Sequence, residues 1–391
     1  MTTADGKTFS FMIDEWRTTR RGPRICFVTD RYPPDFGGVA RSAERVVSHL
    51  GGAGYDMHVL VRSIIPPSGP ILPREKYPPY VIHVPSDPLR LQASVNFFHE
   101  RIRFDLFHGF SLPSAYACIA AAARYSLPLI ANISDFNRPS YESRSSQVVL
   151  MHASWIVSST AASLSCAHRV VDVAPKSSVI CSSVEPLQLT HWSLETSDRG
   201  TVGTVGTLGV EKQVPLLTQA YTQLDIRLRR HLMLVGDCDP LSTDYQDNRT
   251  RMKWLLKSLH VENETIWPGH VPRSEVMTYL QRMHVFVMAP EHPGISNSLL
   301  EAAAAGVPIV ATAIEGIRDF FSHGINCLLV PPRDATALSR AIETIMRDDR
   351  LARHLGTGAR RLTETTPPAA ERSEYCKLYA HLLDNRLLEP Y

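Results

Sequence analysis

From Arg24 onward the chain alternates short β-branched apolar runs with longer amphipathic stretches: Ile25 to Thr29, then Val39 to Leu50, then Met57 to Val61. Parallel strands cannot be joined by tight turns and need crossover helices, so this rhythm predicts βαβ units in a doubly wound sheet. It continues through Tyr80 to Val84, Leu106 to Phe107, the Ala-rich Pro113 to Tyr125, Leu127 to Ile133, Trp155 to Ser158 and Val179 to Cys181. A polar segment between Pro186 and Gly200 interrupts the pattern. A second series then begins, with strands at Thr201 to Val205, Leu232 to Val235, Thr265 to Trp267, Val285 to Met288, Pro308 to Thr312 and Leu328 to Val330. The fold class is therefore α/β: two doubly wound domains facing across a cleft, with ligands beyond the carboxyl ends of the strands.

The expected layout is an extension over residues 1–22, a first domain over 23–187, a linker over 188–200, a second domain over 201–370, and a terminal helix over 371–391 that crosses back to the first domain. That last stretch puts Tyr375, Leu378, Tyr379 and Leu382 on one helical face.

Composition narrows the functional classes. With 41 Lys plus Arg against 39 Asp plus Glu, the net charge of +2 gives no electrostatic case for a nucleic-acid partner. The 7 cysteines are scattered and spell neither a zinc ribbon nor a disulfide framework, which fits a reducing, cytoplasmic setting. The richest apolar stretch, Leu299 to Ile314, is broken by Glu301, Gly306 and Pro308, so it reads as a buried helix and strand and not a membrane span. The segment from Asn96 to Arg103 has two readings, peripheral contact with an anionic membrane or lipid, or an ordinary amphipathic helix.

Two motifs carry chemistry. Gly37 and Gly38 follow the first strand and open a helix at about Val39, where backbone amides can approach a phosphate; a plain tight turn is the competing reading. The stronger signal runs from Glu291 through Gly294, Ile295, Ser296, Asn297 and Ser298 to Glu301, a strand end, a polar loop and a small-residue helix. Ser296 or Asn297 can cap that helix, leaving first-turn amides for an anion. Glu301 stands where a carboxylate can accept hydrogen bonds from two vicinal hydroxyls such as those of a ribose. Asp237-Cys238-Asp239, after the strand ending at Val235, spells a pattern in which two carboxylates could chelate a divalent cation.

Taken in order, Tyr32-Pro-Pro-Asp-Phe-Gly-Gly, Asp105-Leu-Phe-His, Val202 to Lys212, Leu234-Val-Gly, Pro268-Gly-His-Val-Pro, Ser296-Asn-Ser-Leu-Leu-Glu-Ala and Asn326-Cys-Leu-Leu-Val-Pro-Pro-Arg-Asp resemble the family-4 retaining glycosyltransferases, which have the GT-B fold of two Rossmann-like domains. The resemblance covers Arg24 to about Leu383. It implies a nucleotide-sugar donor, UDP-type, as co-substrate with no separate cofactor, held by the second domain, and no bound metal, since the family has only a glycine loop where this chain has Asp237-Cys238-Asp239. Glu301 would lie on the ribose, Ser296 to Ser298 on the diphosphate, and His270 and Val271 near the base. Gly206, Thr207, Gly294 and Lys212 would line the donor, with Lys212 in register with the family's phosphate-facing lysine. Catalysis would be largely electrostatic stabilisation of the leaving diphosphate, without a protein nucleophile. The acceptor, a small molecule, lipid or glycan, would sit on the first domain. A homodimer is compatible with this picture.

Three positions depart from the family pattern. Where a further glutamate is usual this chain has Pro293, and the nearest carboxylate is Glu291, two residues earlier. Where an arginine is usual it has Thr207, with Arg138 or Arg318 as replacements for the missing charge. The family's histidine near the reacting carbon corresponds to Ser134 before Asp135. Asp135 and His108 join Lys212 as catalytic candidates, although a lone histidine after a strand also fits a structural role. The alternative function is a degenerate nucleotide-binding subunit that supports an active partner; retention of Lys212, Gly294, Ser296 and Glu301 argues for the enzyme.

Overall fold

A computed structural model describes residues 22–35, 37–63, 80–133, 142–184, 192–208, 212–238, 245–291 and 294–384. These form two compact units, one containing the described residues up to Cys181 together with those from Ala369, the other running from Ser182 to Pro368.

In the first unit a parallel sheet of seven described strands has the order β3-β2-β1-β4-β5-β6-β7. The strands are β1 (Arg24–Thr29), β2 (Asp56–Ser63), β3 (Tyr80–Pro85), β4 (Leu106–Gly109), β5 (Leu129–Ile133), β6 (Trp155–Ser158) and β7 (Ser177–Val179). Every residue of β1 is buried, as a central strand covered on both faces requires. Its side chains alternate between two cores. Ile25 and Phe27 pack with Val46, Val47 and Leu50 of α1 (Gly38–Gly52), and with Tyr375, Leu378 and Tyr379 of a helix from the far end of the chain. Cys26 and Val28 face the other way, towards α2 (Pro88–Ile102), α3 (Leu112–Tyr125) and α4 (Arg144–His152). Side-chain caps start these three helices, with Asp87, Ser111 and Ser143 accepting from backbone N–H groups. A short α5 (Ala161–His168) precedes β7.

Along α2, Phe98 and Ile102 turn into the core. Phe97 stays at the surface with the Arg101 guanidinium 3.5 Å from its ring centre. Among the described residues no helix is long and apolar enough to cross a membrane.

The second unit repeats the plan with β8 (Asp198–Val205), β9 (His231–Val235), β10 (Thr265–Gly269), β11 (Met283–Met288), β12 (Ile309–Thr312) and β13 (Leu328–Val330), in the order β10-β9-β8-β11-β12-β13. Its helices are α6 (Val214–Thr222), α7 (Tyr245–Ser258), α8 (Arg273–Arg282), α9 (Asn297–Ala305), α10 (Ala335–Arg347) and α11 (Asp349–Glu364). The last helix, α12 (Pro368–Asp384), belongs to the first unit from Ala369 onward. In each sheet the strand order reverses beside the first strand, between β1 and β4 and between β8 and β11, and such switch points leave a crevice at the carboxyl edge.

The segment expected as a linker departs from expectation in its described part. Trp192 is 8% exposed, its Nε1 donates to the Met283 carbonyl at 2.8 Å, and its backbone N–H donates to Ala305. Leu194 is buried with it, and β8 begins at Asp198, ahead of the expected Thr201. Two apolar residues in a polar run are enough to tie that run to a core.

Candidate functional site

The carboxyl edge of the second sheet is built from glycines. β8 ends at Val205, and Gly206 follows with φ +123°, a conformation that side chains other than hydrogen rarely adopt. Its N–H donates to Val235 at 2.8 Å. Gly236, with φ +121°, follows β9 and lies so close that an added Cβ would stand 2.0 Å from the Gly206 carbonyl oxygen. The N–H of Gly236 in turn donates to the Gly269 carbonyl at 2.9 Å, at the end of β10. Three neighbouring strands thus end with their backbones packed against each other, leaving the carboxyl edge free of side chains at those points.

Lys212 fills the space this opens. An added Cβ on Gly206 would lie 2.2 Å from Lys212 Nζ. That ammonium donates to the Val205 carbonyl and, at 2.8 Å, to Ser298 Oγ. Ser298 is the second residue of α9, and Ser296 is its N-cap, with Oγ accepting from the Leu299 N–H at 3.2 Å. The two serine hydroxyls are 3.2 Å apart. A fixed positive charge therefore meets the positive end of a helix, an arrangement that attracts anions and holds phosphate oxygens. Glu301 follows Ser298 by one turn on the same face of α9 and is 7% exposed. Gly294 has φ +152° and donates its N–H to the Glu315 carbonyl at 3.0 Å. Gly316 packs so tightly on it that an added Cβ would come within 2.7 Å of the Gly294 nitrogen.

The other predicted donor residues occupy the same unit with different standing. Ile295 and Val271 are partly buried against the core, Asn297 is the first residue of α9, His270 follows β10, and Thr207 follows Gly206. Glu291 forms an ion pair with Arg333, 2.7 Å between Oε2 and Nη2, and this bond raises the arginine's affinity for its proton. A hydroxyl held by Glu291 would have to share it with that guanidinium. Asp237 is 3% exposed and paired with Arg249 at 3.1 Å, while its other oxygen accepts from the Cys238 N–H. Arg249 also sits over the Trp267 ring at 5.3 Å. Among the described residues no group of three or more His, Cys, Asp or Glu is arranged to hold a metal ion. Asp239 lies outside the described residues.

In the first unit, Gly37 (φ +114°) caps α1 through its backbone and Gly38 is that helix's first residue. Asp135, with Ser134 and Arg138, lies outside the described residues. His108 is placed contrary to its candidacy as a catalytic group. It is 0% exposed on β4, with Nδ1 2.6 Å from Tyr379 Oη and Nε2 2.8 Å from Asn132 Oδ1. Asn132 Nδ2 donates onward to Tyr375 Oη at 3.0 Å. Because the amide oxygen can only accept, Nε2 carries the proton and Nδ1 accepts from Tyr379, an assignment made from the network. Burial pushes the imidazole down to about 4, against the opposing effect of the Asn132 bond. The ring is neutral and fully used in fastening α12 to the sheet, so no face or nitrogen is left for a substrate.

Sequence reasoning missed the Gly206–Gly236–Gly269 stack as a unit and the Asp237–Arg249–Trp267 cluster. The first had a legible signal, since a glycine follows each of three consecutive strand runs.

A family model described as Glycosyl transferases group 1 matches residues 190–362, which span the whole of the site from Gly206 to Glu301. The chain is 29% identical over 121 residues to a 2-deoxystreptamine N-acetyl-D-glucosaminyltransferase of Niallia circulans, covering 31% of each chain. It is 28% identical over 149 residues to the N-acetyl-alpha-D-glucosaminyl L-malate synthase of Bacillus anthracis, covering 38% of this chain and 36% of that one. The matches thus span about a third of the length of these curated relatives. Sucrose-phosphate synthase from Thermosynechococcus elongatus superposes with a TM-score of 0.83 at 20% identity, covering 93% of this chain and 100% of that one. Anabaena HepE in complex with UDP-glucose does so at 0.76 and 17%, covering 92% and 100%. The fold is GT-B, with two parallel-sheet Rossmann-like domains.

Proposed function

We propose that this protein is a retaining glycosyltransferase of family 4 that moves a sugar from a UDP-type nucleotide donor to an acceptor hydroxyl. The observation that carries the reading is the Lys212 Nζ to Ser298 Oγ bond of 2.8 Å beneath Gly206, a positive charge fastened to a helix N-terminus within the segment that matches the glycosyl transferases. Supporting it, HepE is described with UDP, and with UDP-glucose, bound.

In the proposed reaction the diphosphate lies on the first turn of α9 between Ser296, Ser298 and Lys212, and Glu301 takes the ribose hydroxyls. The bond between the sugar's anomeric carbon and the diphosphate oxygen breaks, and negative charge gathers on the departing diphosphate. Lys212 and the α9 dipole are already oriented towards that charge, so the barrier falls without reorganisation. The acceptor oxygen bonds to the same face of the anomeric carbon, and its proton passes to the diphosphate. The charge stabilisation comes from the chain's own groups, and Asp237 is engaged with Arg249, so the transfer is proposed to need no divalent cation.

Calorimetric titration with UDP and UDP-glucose, with and without EDTA, on wild type and on Glu301→Ala tests the reading. Binding that persists in EDTA and weakens in the variant is expected. If no nucleotide binds, or the variant binds as well as wild type, the donor site is wrongly assigned; nucleotide binding without turnover on any acceptor would favour a supporting subunit.

A further inference from the structure

A groove of about 610 Å3 runs along α11, wholly within the second unit. Ala352, Leu355, Gly356 and Ala359 turn one face of that helix into the core. On the opposite face Arg350, Arg353, His354, Thr357 and Arg361 follow one another at helical spacing and line the groove, with Ile325 of the loop before β13 at its lip. The lip is seated by Gly358, where an added Cβ would stand 2.1 Å from the Ile325 carbonyl oxygen. His354 Nε2 holds it too, donating to the Gly324 carbonyl at 3.1 Å. We propose that this groove binds a small organic phosphate carrying two anionic groups, at a site separate from the one on α9.

Charge carries the argument. Arg350 and Arg353 stand one turn apart, and like charges at that spacing repel. Arg350 also lies in the first turn, where the helix dipole disfavours a cation. Helix stability alone therefore opposes the stripe, and an anion seated on it removes the opposition. The acids nearby do not quench it. Asp349 is taken by two bonds from Arg199, at 2.7 and 3.1 Å, and Asp348 caps α11 by accepting from the Arg350 and Leu351 N–H groups. Glu364 pairs with Arg360. Glu195 lies 3.8 Å from Arg353, with both side chains more than half exposed, so this pair is weak. Among the described residues Arg350 and Arg361 have no ion pair.

Spacing selects the ligand. At 1.5 Å rise per residue Arg350 and Arg353 are about 4.5 Å apart along the axis, and Arg361 is about 12 Å beyond Arg353. The first two can grip one phosphate between them, and the third meets a second anionic group further along. Arginine supplies a planar fork that matches phosphate oxygens in pairs, which a lysine ammonium does not. The Thr357 hydroxyl lies between the two anchors. A concave lining of this volume suits a small molecule. A lipid surface needs apolar area to bury, and Ile325 is the one apolar side chain among the lining residues.

Calorimetric titration of the full chain with fructose 1,6-bisphosphate, glucose 6-phosphate and sulfate, at constant ionic strength and with saturating UDP, tests the proposal. The bisphosphate should bind saturably and more tightly than the other two. Arg353→Gln combined with Arg361→Gln should weaken it by roughly tenfold or more without altering thermal unfolding, and Lys212→Met should leave it unchanged. Sulfate binding as tightly as the bisphosphate would reduce the groove to a general anion patch and overturn the proposal. So would equal binding in the arginine variant, or a loss confined to Lys212→Met, which would put the phosphate on α9. Sedimentation with phosphatidylcholine vesicles, with and without phosphatidylglycerol, covers the lipid source: capture by the anionic vesicles alone, with no soluble phosphate bound, also overturns it. The groove and the donor site stand or fall separately, because UDP binding on the same samples reports the second without the first.

Discussion

Lys212 Nζ lies 2.8 Å from Ser298 Oγ, joining the end of β8 to the first turn of α9 through a single side chain. That bond turns two separate anion-attracting features into one preorganised site, and it makes the lysine the natural first substitution. Lys212→Met should lower turnover by roughly 10²–10³-fold, the usual effect of removing one group that stabilises developing charge. UDP affinity should fall as well, while cooperative thermal unfolding persists. Steady-state kinetics with a UDP-sugar, together with calorimetry, would check this; unchanged kinetics would exclude the lysine from the site.

Gly206 is the partner that makes room for that lysine. Gly206→Ala places a methyl group 2.2 Å from Nζ and forces an alanine to φ +123°. A cost of about 1–3 kcal/mol in stability is expected from the backbone alone. The steric share is testable separately, since Lys212→Met should relieve part of the damage. A double-mutant cycle read by urea unfolding should therefore be non-additive, and strict additivity would show that the two residues do not compete for one space.

Acid should unfasten α12. Unfolded histidine titrates near 6.5, whereas burial holds folded His108 at about 4. Between those values the unfolded chain binds the proton and the folded chain does not, so stability falls as pH drops through this window and is whole above it. The full effect is roughly 3 kcal/mol for a group buried this completely. His108→Gln should be destabilised at pH 7, with its deficit against wild type shrinking as pH approaches 4. A deficit that stays constant across the range would remove His108 as the source.

The ion pair between Arg45 and Glu371 ties the start of α12 to α1, with side chains 11% and 3% exposed and a contact of 2.8 Å. Arg45→Met removes the cation bonded to this buried carboxylate, at a cost of about 3–5 kcal/mol. Arg45→Met combined with Glu371→Leu should recover much of that loss. Chemical denaturation of the three variants would decide, and a single variant as stable as wild type would show that the pair contributes nothing.

The two sheets were legible in the sequence because parallel strands buried on both faces appear as short apolar runs separated by crossover helices. The Ser296 cap was legible because the physics of a helix N-terminus acts over a few residues, whereas Lys212 and Gly294 stood out only through the resemblance to the family's motifs. Contacts distant along the chain left no such trace. Nothing around His108 announces Tyr379, 271 residues away, so its environment could not be read from a strand and a following glycine. Glu291 likewise looked available for a sugar hydroxyl until Arg333, from the loop after β13, was seen beside it. Trp192 shows the opposite failure: a polar neighbourhood masked one indole whose N–H and ring secure the described part of the supposed linker to the second core.

The placement of Tyr375, Leu378 and Tyr379 among Ile25, Phe27 and Val46 also fixes an order of events during synthesis. The sheet that the ribosome makes first lacks part of one face until residues of α12 emerge, after the whole of the second unit has been translated. Domains generally complete as units when their last segment becomes available. Here the later-made unit can finish before the earlier one, and a released chain truncated ahead of Ala369 would carry a complete second unit and an uncovered first sheet, open to chaperones and proteases.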